Sequence, residues 1–152
     1  MKIDKKDLKI MNILLENADS SYRQIAKRTG VSLGTVMNRM KKLKENKIIK
    51  KSTILIDYEK VGYSIGVLID VRVSKGKLFE VEKAIARHPN VFAVYDITGD
   101  FDVSIVAKFP SREDLDHFIK EIQKMEFVER THTKLILNYI KEESPPFHMG
   151  MK

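Results

Sequence analysis

Along this chain the apolar positions change rhythm once, near residue 63. Before that point they recur at helical spacing. Val36, Met40 and Leu43 stand at i, i+4 and i+7, one stripe of an amphipathic helix. Leu8, Met11, Leu14 and Leu15, flanked by Ile10, mark an earlier helix that Asp4 caps and that runs to about Asn17. Between the two, Ser21 precedes Gln24 at capping-box spacing, and Ile25-Ala26 supply a buried side. Gly30 suits a sharp bend, because it takes positive φ without a Cβ clash, and Ser32 caps the helix that follows. Ile48 to Tyr58 is rich in Ile and Thr and reads as an extended connector, with a hinge at Asp57–Gly62.

From Tyr63 the period becomes two. Ile65, Val67, Ile69, Val71 and Val73 alternate with Ser64, Gly66, Leu68, Asp70 and Arg72, as in a strand with one strongly buried face. Lys75-Gly76 breaks it. Leu78, Val81 and Ile85 mark a helix that ends at His88-Pro89. Val91–Thr98 is a second strand, Gly99-Asp100 a two-residue hairpin turn, and Phe101–Phe109 a third strand. Ser111 caps a helix striped by Leu115, Phe118, Ile119 and Ile122, and Phe127–Ile140 is the last strand. The order β-α-β-β-α-β predicts a ferredoxin-like domain with both helices on one sheet face. Leu68, Val94, Val106 and Ile136 fall on the other phase, and an apolar second face predicts sheet-to-sheet homodimerisation. The fold class is therefore α+β. Residues 1–50 form a three-helix head, 51–62 a connector strand and hinge, 63–140 the ferredoxin-like domain, and 141–152 a tail. That tail, with Pro145-Pro146, Phe147, Met149 and Met151, is either disordered or an arm that docks on a neighbour.

Charge adds a partner to this picture. Residues 1–62 hold 15 Lys and Arg against 7 Asp and Glu, a net of +8, while residues 63–152 hold 13 against 14. The whole excess of positive charge sits with the head, which predicts a polyanion partner. Two helices joined by the Thr29-Gly30 turn, the second bearing Thr35, Asn38, Arg39, Lys41 and Lys42 opposite its apolar stripe, have the form of a helix-turn-helix for double-stranded DNA. The first turn of the second helix (Ser32, Leu33, Gly34, Thr35) would approach base edges. Asn38 suits adenine and Arg39 suits guanine. Lys41, Lys42 and Lys44 suit phosphates, with Arg23 and Arg28 from the preceding helix. The alternative for Arg39 is an ion pair within the head, and for the lysines a solvated face.

The arrangement resembles the Lrp/AsnC family of transcription regulators over nearly the whole chain. The resemblance rests on Asp4 and Asp7 before Ile13-Leu14-Leu15, on Ile25-Ala26, on Val31-Ser32 with Thr35-Val36, Arg39 and Leu43, on Thr98 to Asp102, and on Arg130 to Thr133. It implies a second domain of the RAM type, dimers joined through RAM sheets and often gathered into octamers, and small effectors, frequently amino acids, held between dimers. On that basis Gly99, Asp100, Phe101, Asp102, Thr131, His132 and Thr133 form the candidate effector site. The Asp100 and Asp102 carboxylates would meet an ammonium group, and the Thr and His side chains would meet a carboxylate. The alternatives are an ordinary hairpin turn and ordinary strand residues. The sequence departs from the family at Glu45-Asn46-Lys47-Ile48-Ile49, where a Gly is often found after the recognition helix. Asn46 is expected to take the left-handed conformation instead, because it tolerates it better than Lys47.

Other chemistry is weakly represented. Cys is absent, so disulfides, thiol catalysis and cysteine-ligated metals are excluded. His88, His117, His132 and His148 are scattered, and neither a metal nor another cofactor is expected. No nucleophile elbow, phosphate-binding glycine loop or paired-acid motif appears, so an enzyme is not expected. With no apolar run of bilayer length and no signal-peptide core, a cytoplasmic protein without membrane contact is expected. The high Lys, Glu and Ile content leans toward a thermophile, including archaeal ones. The leading reading is a sequence-specific regulator of transcription. The alternatives are an architectural nucleoid protein with little sequence preference and a metabolic enzyme or its regulatory subunit, the last opposed by the basic head.

Overall fold

The computed structural model describes residues 2–74 and 76–148; Lys75 of the expected break, and Met149 and Met151 of the tail, lie outside them. The chain forms two units. One takes in residues 2–55 together with 141–148, and the other is Ile56–Ile140. The architecture is α+β, a helix-turn-helix head and a ferredoxin-like domain.

In the head, α1 spans Lys5–Glu16, α2 Tyr22–Thr29 and α3 Leu33–Glu45. Each begins at the side chain that the sequence offers. The Asp4 carboxylate accepts the Lys6 and Asp7 N–H groups at 2.8 and 3.0 Å, and Asp7 accepts the Asp4 N–H at 3.0 Å. Ser21 and Gln24 cap α2 in the same reciprocal way. Gly30, at φ 72°, turns the chain into α3, where Ser32 accepts the Thr35 N–H. The core is Ile10, Met11, Ile13, Ile25, Val36, Met40 and Leu43. The stripe of α1 is rotated from the expected one: Ile10 is fully buried and Leu15 is exposed. Six of the eight residues from Leu8 to Leu15 are apolar, more than one face can bury, so packing against α2 and α3 makes the choice.

α3 ends differently from expectation. Lys47, not Asn46, is left-handed, with φ 55°. Lys47 N–H donates to the Lys44 carbonyl at 2.9 Å and Ile48 N–H to the Leu43 carbonyl at 2.9 Å, a Schellman closure with lysine where glycine is usual. Asn46 stays at φ −83° because its side-chain amide donates to the Lys42 carbonyl at 2.8 Å. A non-glycine residue in this region costs about 1–2 kcal/mol, partly offset by the greater chain entropy that glycine loses on folding. Lys47→Gly is therefore expected to raise head stability by up to about 1 kcal/mol, read as a higher urea midpoint at unchanged slope.

Beyond α3, no strand precedes Ile65 among the described residues, so the connector strand expected within Ile48–Tyr58 does not form. The sheet takes no strand from it, and a lone extended segment has no partner for its N–H and C=O groups. Ile54 and Leu55 on it are 77% and 75% exposed. The tail meets the head at Phe147: Asn12 Nδ2 donates to the Phe147 carbonyl at 2.9 Å, and Phe147 N–H donates to Asn12 Oδ1 at 2.7 Å. Of the two fates expected for the tail, docking is the one observed, but onto α1 of its own chain.

The second unit runs β1 Ile65–Val73, α4 Leu78–Ile85, β2 Val91–Asp96, β3 Val103–Phe109, α5 Arg112–Gln123 and β4 Val128–Leu135. The sheet order is β2-β3-β1-β4, antiparallel throughout. Val67, Ile69, Val71, Val103, Ile105 and Phe109 bury one face against Val81, Ile85, Phe118 and Ile122 of the helices. On the opposite face Leu68 pairs with Val106, as expected. Val94 does not join them. The β2–β3 register shifts between Val91 and Ala93, which moves Val94 opposite Ile105 and onto the helix side.

Two polar residues are buried on this second face. Lys108 is 2% exposed, its ammonium 4.8 Å from the Tyr58 ring centroid, 5.2 Å from Phe92 and 4.5 Å from Tyr139. Three ring faces offset part of the cost of removing that charge from water. Tyr139 reaches this place because residue 66 is glycine; a Cβ there would lie 1.6 Å from its hydroxyl oxygen. Asp70 accepts from Ser104 Oγ at 2.8 Å and from Lys134 Nζ. Burial pushes its carboxyl upward, but the Lys134 and Ser104 hydrogen bonds outweigh burial and hold it below the ordinary 3.8. A depressed carboxylate stabilises the fold above the unfolded value and loses that contribution as pH falls through the folded one. Asp70→Asn is therefore expected to be less stable than the parent at pH 7, and the gap to close as pH falls from about 5 toward 2, followed by denaturant titrations across that range.

Candidate functional site

The outward side of α3 is built by default. Val36, Met40 and Leu43 face the core, which leaves Gly34, Met37, Asn38 and Lys41 pointing away from it. Ser32 and Thr35 share a hydroxyl contact of 2.9 Å at the start of the helix and keep further donor and acceptor capacity for a ligand. Among the described residues nothing lies within 4 Å of a Cβ placed on Gly34, so its backbone is open to close approach. Lys41 makes only a loose 3.8 Å pair with Glu45. Lys42 stands on the flank that faces the start of α1, in a cleft shared with Lys2, Asp4, Asp7, Thr35, Asn38 and Arg39.

Arg39 does not point outward. Its Nη1 donates to both Asp4 carboxylate oxygens and to Asp7 Oδ1, each at 2.8 Å. Asp7 is 1% exposed, so the ion pair reaches into the head's interior. The pair holds the Arg39 guanidinium pKa above its usual value. The Asp4 carboxyl is held low, first by the Asp7 N–H and then by Arg39. This is the alternative reading of Arg39, and the guanine contact is not available in this conformation. Arg28 is also engaged, donating to Glu16 at 2.5 Å on the surface. Arg23 lies in the first turn of α2 and is exposed. The sequence reading missed two things. Asp4 and Asp7 were not seen as partners of Arg39, although all three residues carried the resemblance. Met37, 51% exposed on the outward side, is absent from the polar face expected for this helix.

The candidate effector residues form two groups. The β2–β3 connection is Ile97–Asp102, longer than the expected two-residue turn. Ile97 N–H donates to the Asp102 carbonyl at 2.9 Å, and Gly99 has φ 122°. Asp102 is used internally: Val73 N–H donates to its Oδ2 at 2.8 Å, and Arg72 Nε lies 3.6 Å away. Arg72 also donates to the Asp100 carbonyl at 3.0 Å, leaving the exposed Asp100 carboxylate at the tip of the loop. Phe101 stacks on His132 at 5.9 Å between centroids, with the Arg130 guanidinium 4.7 Å from the Phe101 ring. His132 pairs with Asp70, but Thr131 and Thr133 pair with Val71 and Ile69 and so take the helix side of the sheet. Thr131 accepts from Gln123 Nε2 at 3.0 Å. Phe101, Arg130 and His132 are thus one cluster, with Asp100 next to Phe101 in the chain, and the two threonines are not part of it. Among the described residues no group of three or more His, Asp or Glu could hold a metal ion, and no helix is long and apolar enough to cross a membrane.

Comparison with known proteins agrees with the fold. Residues 66–146 match the profile of the Lrp/AsnC ligand binding domain, and residues 3–50 match a winged helix-turn-helix DNA-binding profile. An uncharacterized HTH-type transcriptional regulator of Pyrococcus furiosus is 41% identical over 143 residues, 94% of this chain and 97% of the relative. The HTH-type transcriptional regulator FL11 of Pyrococcus horikoshii is 38% identical over 92% of this chain and 93% of its own. Among solved structures, Escherichia coli AsnC superposes with a TM-score of 0.87 at 26% identity, over 96% of this chain and 99% of that one. A transcriptional regulator of Neisseria meningitidis in complex with L-Met has the same fold, with a TM-score of 0.87 at 23% identity over 98% of both chains. With a DNA-binding helix-turn-helix head and the ligand-binding domain that defines the group, the chain belongs to the Lrp/AsnC family of transcription regulators.

Proposed function

We propose that the protein regulates transcription by sequence-specific binding of double-stranded DNA as a homodimer joined through the second face of its RAM sheet. The observation that carries the reading is the outward side of α3, where Gly34, Asn38 and Lys41 stand clear of the core on the head that holds all the excess positive charge. Ser32, Leu33, Gly34, Thr35 and Asn38 take the base edges, and Lys41, Lys42 and Arg23 take phosphates. Arg28 serves phosphates only after leaving Glu16, and Arg39 acts from behind by holding α3 on α1. Support for a dimer comes from Leu68 beside Val106 on the uncovered sheet face and from the exposed Ile54 and Leu55 of the connector. Dimers gather further, to octamers, with the loop at Gly99–Asp102 between them. There an amino acid or related small effector meets Asp100 with its ammonium group and Arg130 or His132 with its carboxylate, beside Phe101.

Selection of bound sites from random DNA tests this. The expected product is a roughly palindromic sequence whose half-sites lie about one helical turn apart. Retention of the pool without enrichment would replace the reading with an architectural role at low sequence preference, as in a nucleoid protein. Calorimetry against the twenty amino acids tests the effector, and silence from all of them removes it.

A further inference from the structure

The recognition helix carries a pair of exposed apolar side chains. Leu33 is 38% exposed and Met37 is 51% exposed. They stand at i and i+4 on the first two turns of α3, one above the other on the helix surface. Gly34, with open space around it, lets the backbone beside them come close to a surface. Single exposed apolar residues need no explanation. A pair on the helix turns that approach base edges, in a head of net charge +8, has a specific use.

The chemistry available on this surface is restricted. The only arginine of α3 is Arg39, and it is bound to Asp4 and Asp7. The strongest reader of guanine is therefore withdrawn from the outward side. What remains in reach is one amide, Asn38, the hydroxyls of Ser32 and Thr35, the lysines, and the Leu33–Met37 pair. In the major groove the apolar feature of a base pair is the 5-methyl group of thymine. Methionine, unbranched and polarizable, adapts its end to such a target.

We infer that Leu33 and Met37 read thymine by packing on its 5-methyl group, so that sequence preference depends on methyl contacts as well as hydrogen bonds. A second copy of this chain is a poorer occupant, because Lys41 and Lys44 flank the pair and would meet the same charges on the copy. The inference rests on the proposed DNA reading and adds the group that is read.

The test uses the full chain and the site enriched from random DNA, with each thymine replaced in turn by deoxyuridine, which lacks only the methyl group. Affinity is measured at one fixed salt concentration. For the parent, at least one position in each half-site is expected to lose about fourfold, the ratio that burial of one methyl-sized group gives. Met37→Gln, of similar length without the apolar end, and Leu33→Ala should bind the thymine site about as weakly as the parent binds the uridine site. They should then show no further loss with uridine. Tight binding by the parent with no position sensitive to uridine overturns the inference and leaves DNA reading to the polar groups. So does uridine sensitivity that persists unchanged in both variants. Failure to enrich any site overturns the proposed function itself, and the inference with it.

Discussion

Arg39→Ala is expected to destabilise the head by about 3 kcal/mol, a loss set by what the arginine leaves behind more than by what it contributes. Asp7 is 1% exposed, and its charge is balanced by Arg39 Nη1 at 2.8 Å and by the Asp4 N–H at 3.0 Å. Without the guanidinium, a buried carboxylate keeps one backbone hydrogen bond and no counter-charge. Reaching water then requires α1 to move away from α3, which opens the core of the head. Breaking one partner of a fully buried ion pair costs about 3–5 kcal/mol, and the lower end applies because Asp4 and part of Arg39 see water. Arg39→Lys keeps the charge but reaches the carboxylates as a single point, so an intermediate loss is expected. Arg39→Met combined with Asp7→Leu removes both charges and should recover most of the stability of the parent. Urea unfolding of the four proteins checks the series. The loss of DNA affinity that follows from a loosened head is expected to be equal on an enriched site and on random DNA. Stability within about 0.5 kcal/mol of the parent, with binding lost only on the enriched site, would return Arg39 to the role of guanine reader.

What could be read from the chain, and what could not, divides by range. Asp4, Ser21, Ser32 and Ser111 begin their helices where the sequence places them, because a cap is settled within three residues. The β-α-β-β-α-β order is equally local, since each change of period announces an element. The misreadings depend on something further away or finer. Arg39 meets Asp7 across 32 positions, a pairing that spacing does not reveal. Val94 changes sides because the register slips at the neighbouring bulge, and period-two counting assumes that no residue is inserted. Lys47 takes the strained conformation because Asn46 uses its amide on the Lys42 carbonyl, a choice that φ preferences alone rank the other way. At the effector turn, Asp102 was expected to face a ligand and instead holds the Val73 N–H, while Thr131 and Thr133 turn from His132 by simple alternation. The cluster of Phe101, Arg130 and His132 needed the sheet register to be seen, since Arg130 and His132 lie on β4 and Phe101 on a loop between two other strands.

Separating two recognition helices should cost more than any single contact on them. One head of this size reaches a few base pairs, and the affinity of a lone half-site is low. Joining two heads through their RAM sheets makes the second binding event intramolecular, at an effective concentration on the order of 1 mM. If each half-site alone binds at about 10 µM, the joined pair gains about 100-fold. Removal of residues 63–152 is therefore expected to lower affinity for the enriched site by about two orders of magnitude. Binding to random DNA should fall much less, because the charge of +8 stays with the remaining piece. That truncation also removes Phe147 from Asn12, so a loss of head stability could imitate the effect. Leu68→Glu in the full chain separates the two causes. Leu68 lies in the middle of the second sheet face, opposite Val106, and a carboxylate there opposes a second sheet while every residue of the head stays as in the parent. The expected result is a monomer by sedimentation, a head that melts as in the parent, and a specific affinity reduced about 100-fold. A Leu68→Glu protein that sediments as a monomer and still binds the enriched site as tightly as the parent would show that one recognition helix suffices.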